Sequence, residues 1–197
     1  GYGQPRMASD KDFLELVEKF STSAKLAQEY GFDGVEIHAA HGYLLSSSLS
    51  PRINNRKDKW GGSFENRARL LKLILQKVRE TVGNNFILAV KINSSDFQKG
   101  GLEISDSVKI ANLIEKENID FIEVSGGNFE APEAYQYVSL KESTKSREAY
   151  FLDAAKNIKA SVSIPIMVTG GFRSISVMED ALTLSLIHIS EPTRQSL

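Results

Sequence analysis

The chain has 197 residues, no cysteine and a formal net charge of −1, from 24 basic and 25 acidic side chains. Zero cysteine excludes disulfides, thiolate catalysis and cysteine-ligated zinc or iron–sulfur clusters within these residues. The near-neutral balance gives no reason to expect a nucleic-acid or membrane partner. No apolar run reaches the roughly 20 residues of a membrane span, and no signal-peptide pattern opens the chain, so a cytoplasmic location is expected. The first residue is Gly1 rather than Met, which leads us to expect a missing upstream part.

The first periodic segment predicts a helix from about Asp10 to Tyr30. Ser9 and Asp12 make a capping box, and Phe13, Leu16, Val17, Phe20, Ala24 and Ala27 share one face. Gly31 is a natural stop. Residues 34–38 (GVEIH) then read as a buried parallel strand, as do 86–93, 121–125 and 165–169. Residues 44–63 read as a long polar loop. A second helix is predicted over Phe64 to Val82 with Ser63 as cap, a third over about Asp106 to Glu117, a fourth over about Arg147 to Ala160, and a fifth from near Ser174. One helix between successive strands is what right-handed crossovers require, and this alternation means an α/β fold with a parallel sheet. No GxGxxG follows any strand, so the dinucleotide-binding signature is absent. The polar residues collect at the carboxyl ends of the strands, where barrel active sites sit, which favours a (β/α)8 barrel over a doubly wound sheet. Four strands are half of one.

The residues able to do chemistry lie at those strand ends. His38 and His41, in HAAHGY, offer two imidazole N–H groups that can hold a carbonyl oxygen and stabilise the charge it gains. Tyr43 is a phenol placed to deliver a proton. The alternatives are strand-end histidines that satisfy backbone carbonyls, or a metal pair. Lys91 sits inside an apolar strand and needs an anionic or polar partner: either a carboxylate such as Glu36 or Glu123, or an electron-rich ligand inside the barrel. Thr169-Gly170-Gly171-Phe172-Arg173 opens a helix, where backbone amides favour a phosphate; any tight strand-to-helix turn can also use Gly-Gly. In the loop, Pro51, Arg52, Asn54, Arg56, Asp58 and Trp60 either wall a pocket or pair internally.

Taken together, GFDGVEIHAAHGYLLSSSLSPRINNRKDKWGGSFENRARL (residues 31–70), AVKINSSDF, FIEVSGG, STKSREAYF and PIMVTGGFRS closely resemble the Old Yellow Enzyme family of NADH:flavin oxidoreductases, on its NADH oxidase-like branch, over about residues 10 to 183. The resemblance implies strands four to seven of an FMN-binding (β/α)8 barrel, with strands one to three and eight outside this sequence. It implies an enzyme that takes hydride from NADH or NADPH onto FMN and passes it to the activated C=C bond of a small enone or quinone-like substrate. His38 and His41 would hold the substrate oxygen and Tyr43 would protonate the α-carbon. Lys91 would face the flavin N1/O2 edge, Gly170 and Gly171 would turn the backbone at the FMN phosphate, and Arg173 would lie nearby. No metal is implied. Ser47 stands where many relatives have Gln, and Trp60 where Tyr is usual, which bears on substrate preference.

Residues 184–197, from Leu184-Ser185-Leu186-Ile187-His188, read as a translated sequencing adapter, leaving 1–183 as a partial oxidoreductase barrel and His188 without functional weight. Two further readings stand beside the flavin enzyme. One is an inactive half-barrel with exposed strand edges. The other is a barrel lyase or hydrolase with a metal on His38 and His41.

Overall fold

A computed structural model describes residues 6–128, 130–131 and 148–184, and the backbone of 186–190. Helix α1 (Asp10–Glu29) begins at the expected capping box. Ser9 Oγ accepts from the Asp12 amide, and Asp12 reaches back to the Ser9 amide. Its buried residues Phe13, Val17 and Ala24 form the stripe that lies against α3 (Phe64–Val82). Helix α3 starts on Ser63 and ends on Gly83 at φ +73°. Between them run β1 (Gly34–Ala39) and a short helix α2 (Leu44–Leu49). The chain continues through β2 (Ile87–Asn93), α4 (Ile104–Glu115), β3 (Phe121–Ser125), α5 (Leu152–Lys159), β4 (Ile166–Thr169), α6 (Ile175–Thr183) and β5 (Leu186–Ser190).

The sheet is parallel, in the order β1-β2-β3-β4-β5, so every strand lies beside its neighbour in sequence. With helices between the strands this is a partial (β/α)8 barrel, as expected. Gly34 is required where β1 meets β2, because a Cβ there would stand 2.4 Å from the Ile87 Cβ. At the lower rim, the buried Arg79 guanidinium donates to the carbonyls of Gly83, Phe86 and Asn118 and to Asp120, tying α3 to the starts of β2 and β3.

The strands were expected to be buried on both faces, and β2 and β3 largely are, with Ala89, Asn93, Glu123 and Ser125 each at most 4% exposed; β1 leaves Glu36 exposed. The two faces differ in chemistry. Ile37, Leu88, Val90, Ile92, Ile122, Val124, Ile166 and Val168 face the helices and join one core. Full burial of each contributes roughly 1.5–3 kcal/mol. The alternate residues Glu36, His38, Lys91, Asn93, Glu123 and Ser125 share the other face.

Apart from shifts of one or two residues at other element ends, four features differ from expectation. Helix α2 occupies part of the predicted loop. Helix α4 starts at Ile104, two residues before the predicted start, where Glu103 and Asp106 form a capping box. Helix α5 begins at Leu152; Arg147, its predicted start, lies outside the described residues. Leu186–Ser190, from the segment expected to fall outside the barrel, pairs with β4 as a fifth strand, with a register shift at Ile166/Met167. The His188 side chain and residues 191–197 lie outside the described set. Among the described residues, no helix is long and apolar enough to cross a membrane.

Candidate active site

One register row builds the floor of the site: His38 on β1 pairs with Lys91 on β2, and Lys91 with Glu123 on β3. Glu36, two residues before His38, faces the same way. Lys91 Nζ lies 3.1 Å from Glu123 and 3.4 Å from Glu36. Of the two carboxylates offered as alternatives, the lysine therefore takes both. An ammonium has three donors, so a further direction remains for a ligand above it. Burial alone pulls the Lys91 pKa down, but Glu123 and Glu36 together outweigh it and hold the cation. Burial, and then Glu123 beside it, pushes Glu36 up to about 7, with Lys91 opposing.

The histidines stand at the mouth. Their ring centroids are 5.0 Å apart at 65°, and the Tyr43 ring is 5.3 Å from His38. Burial lowers the His38 pKa, and Lys91 adds to the effect. Burial, then His38 and Lys91, lowers His41 to about 4. Both rings are therefore neutral at physiological pH, each with one N–H donor and one acceptor nitrogen. Tyr43 is half-exposed and precedes α2 without capping it. The predicted trio is thus brought together over Lys91.

The pH dependence of Glu36 and His41 has opposite sign. Glu36 binds its proton more tightly when folded, so its contribution to stability falls as pH rises from about 4.5 to 7. His41 binds its proton less tightly when folded, so its contribution grows from about pH 4 to 6.5. The two slopes oppose each other across the acidic range. Glu36→Gln is expected to unmask a stability that rises with pH, gaining about 1 kcal/mol on the parent between pH 5 and 8 after allowance for the partial exposure of Glu36. Urea unfolding at the two pH values measures this, and parallel pH profiles would contradict it.

The glycine turn sits apart, after β4. Gly170 and Gly171 have φ of +112° and +73°. A Cβ on either would stand within 2.6 Å of the Tyr150 ring, so both the conformation and the Tyr150 packing demand glycine. Glu148, which sequence reasoning missed, accepts from the Arg173 amide (2.9 Å), the Ser174 amide (2.7 Å) and Ser174 Oγ (2.7 Å). An internal carboxylate thus already uses the amides of the two residues that precede α6. The Arg173 side chain is exposed. Burial works against the Glu148 carboxylate, but its hydrogen bonds to Ser174 and Arg173, with the Arg173 charge beside it, hold its pKa down, whereas burial pushes the Tyr150 phenol up, with Arg173 opposing.

Asn54, Arg56, Asp58 and Trp60 brace the long loop internally, whereas Pro51 and Arg52 are exposed. Trp60 is buried against Phe13 at 4.5 Å and donates to Asp10. Arg56 pairs with Asp58, and Asn54 Nδ2 donates to the carbonyls of Ser48 and Trp60. Among the described residues, no three His, Asp or Glu side chains converge as a metal set, so the metal reading lacks a third ligand there. Sequence reasoning also did not single out Asn93, Asp96 and Ser125, whose side chains join a buried polar network reaching His41. The available signal was the alternation of polar residues along each strand: Glu36/His38, Lys91/Asn93 and Glu123/Ser125.

A sequence profile described as the NADH:flavin oxidoreductase / NADH oxidase family matches residues 2–197. The chain is 40% identical over 190 residues to an NADH-dependent flavin oxidoreductase of Neonectria sp. (strain DH2), covering 92% of this chain and 24% of that protein. It is 38% identical over 198 residues to an NADH-dependent flavin oxidoreductase of Hypocrea jecorina (strain QM6a), covering 97% and 49%. It therefore spans half or less of the length of these curated relatives. Among solved structures, a 2-naphthoyl-CoA reductase in complex with 2-naphthoyl-CoA superposes with a TM-score of 0.82 at 30% identity, covering 93% of this chain and 28% of that one. With the partial barrel and the strand-end histidines in place, the match over nearly the whole sequence assigns this chain to the NADH:flavin oxidoreductase / NADH oxidase family.

Proposed function

We propose that the chain forms the substrate side of an FMN-dependent oxidoreductase that uses NADH or NADPH to reduce the activated C=C bond of an α,β-unsaturated carbonyl compound. The observation that carries this reading is the pair of neutral imidazoles beside one phenol, above a half-buried cation.

The residues present fit a flavin. Lys91 offers a cation at mid-sheet, suited to an electron-rich ring edge, and the 170–172 turn offers backbone donors to a phosphate. Arg173 adds positive charge beside that turn. Bound FMN would supply a hydride acceptor for the nicotinamide and a hydride donor for the substrate. His38 and His41 would hold the substrate oxygen with N–H groups that stay in place while it gains charge. Because both rings are neutral, they polarise that oxygen without protonating it. Tyr43 O–H would give a proton to the α-carbon.

Substituting His38→Ala in the flavin-loaded protein is expected to weaken a para-substituted phenol about tenfold, the equivalent of one hydrogen bond to a charged oxygen. Spectral titration of the flavin measures the affinity; an unchanged value would remove His38 from the oxygen-holding role.

A further inference from the structure

His41 is a non-glycine residue held at φ +62°, an uncommon and mildly strained conformation that surrounding contacts must fix. Two of those contacts come from a single register pair. Asn93 ends β2 and Ser125 ends β3, and they are Cα partners across the sheet. The Asn93 Oδ1 accepts the His41 backbone amide at 3.0 Å. The Ser125 hydroxyl lies 2.7 Å from His41 Nε2. One partner therefore grips the backbone of His41 and the other its ring. A third contact, the bridge from His41 to Asn128, extends the sheet pairing past the strand end.

An amide side chain can serve as this grip only if its oxygen faces His41, and the surroundings decide that. Asn93 Nδ2 lies 3.0 Å from Asp96 Oδ1 and 3.0 Å from the Gly127 carbonyl. A carbonyl and a carboxylate only accept, so the NH2 must lie on their side and the oxygen on the other. Asp96 is in turn fixed by Ser50 Oγ (2.7 Å) and the Leu102 amide (2.9 Å) on its second oxygen. Asn93, Asp96 and Ser125 are each at most 4% exposed, and all are satisfied. Such a closed polar network rigidifies what it touches.

We propose that Asn93 and Ser125 are positioning residues that together set the backbone and the ring orientation of His41, with Asp96 determining which way Asn93 faces. This rests on the reading of His41 as a donor to the substrate oxygen. Neither residue touches substrate in this proposal; both act through His41. The Ser125 contact also selects the imidazole nitrogen that faces the ligand: while Nε2 is engaged, a ligand oxygen meets Nδ1.

A double-mutant cycle in the full-length, flavin-loaded protein tests this. The probe is a para-substituted phenol, titrated by flavin absorbance, in Asn93→Ala, Ser125→Ala, Asp96→Asn and His41→Ala, and in each of the first three combined with His41→Ala. Asn93→Ala and Asp96→Asn are expected to weaken the phenol about tenfold alone and less than twofold in the His41→Ala background. Ser125→Ala is expected to change the His41 imidazole ¹⁵N shifts, which report the tautomer and which general loosening of the fold would leave alone. Asp96→Asn is close in shape to the parent and carries the cycle if Asn93→Ala does not load flavin. Full loss in both backgrounds, or unchanged His41 shifts in Ser125→Ala, would overturn the proposal. An unchanged phenol affinity in His41→Ala alone would instead fail the underlying reading, and the positioning role with it.

Discussion

Tyr43→Phe is expected to slow the reduction of an enone by the flavin-loaded protein at least a hundredfold while leaving the reduction of the flavin by NADH near its parent rate. A positioned general acid contributes about 10²–10⁴-fold, and Phe removes that acid while keeping the ring beside His38. Tyr43 is half-exposed and makes no cap bond to α2, so the fold should lose less than about 0.5 kcal/mol. The two half-reactions differ in what they ask of the phenol. Reduction of an enone needs a proton on carbon, whereas hydride transfer from the nicotinamide does not. Rapid-mixing kinetics of each half-reaction make the comparison, and equal slowing of both would remove Tyr43 from the proton-donor role.

Lys91→Met should have the larger structural effect. The substitution leaves Glu36 and Glu123 facing each other with no cation between them. Breaking a buried pair by removing one partner costs about 3–5 kcal/mol. The partial exposure of Glu36 brings the expected loss to about 3 kcal/mol at pH 8. The sign with pH follows from like-charge repulsion. Two carboxylates sharing a site retain a proton that the unfolded chain would release, so the variant loses stability as pH rises and recovers most of it at pH 5. Adding Glu36→Gln should restore part of the loss at pH 8, because it removes one of the two charges. Urea unfolding of the single and double variants at both pH values gives the result; a loss independent of pH would mean that Lys91 serves packing rather than charge.

Much of this was legible in the sequence because it depends on local rules. Ser9 with Asp12, and Ser63 with Gly83, mark the ends of α1 and α3 through capping chemistry that acts within four residues. His38, His41, Tyr43 and Lys91 stood out because each interrupts or ends an apolar run. What stayed hidden depends on register. That Lys91 lies between Glu36 and Glu123 rather than beside one of them follows from how β1, β2 and β3 align, and no local pattern states that alignment. Asn93 looked like one polar residue among several, because its partners Asp96, Gly127 and His41 meet only when β2 and β3 end together. Glu148 was missed for the same reason: it reaches the start of α6, 25 residues away, through space. Helix α2 was missed because Leu-Leu-Ser-Ser-Ser-Leu is too short to show a period and too rich in serine to favour a helix.

The backbone at position 41 also limits what this site can become. A residue at φ +62° must tolerate the left-handed region, which β-branched side chains avoid and which His, Asn, Asp and Gly accept most readily. Of those four, only His and Asn carry a neutral side-chain N–H to offer an oxygen, since Asp would repel it and Gly has nothing to give. The shape of the turn therefore reduces the usable alphabet at this position to about two letters before any substrate is considered. On the proposed role of His41, variation in substrate choice would then have to come from residues around the mouth that lie on ordinary backbone, and position 41 itself would change slowly, held by conformation as much as by chemistry.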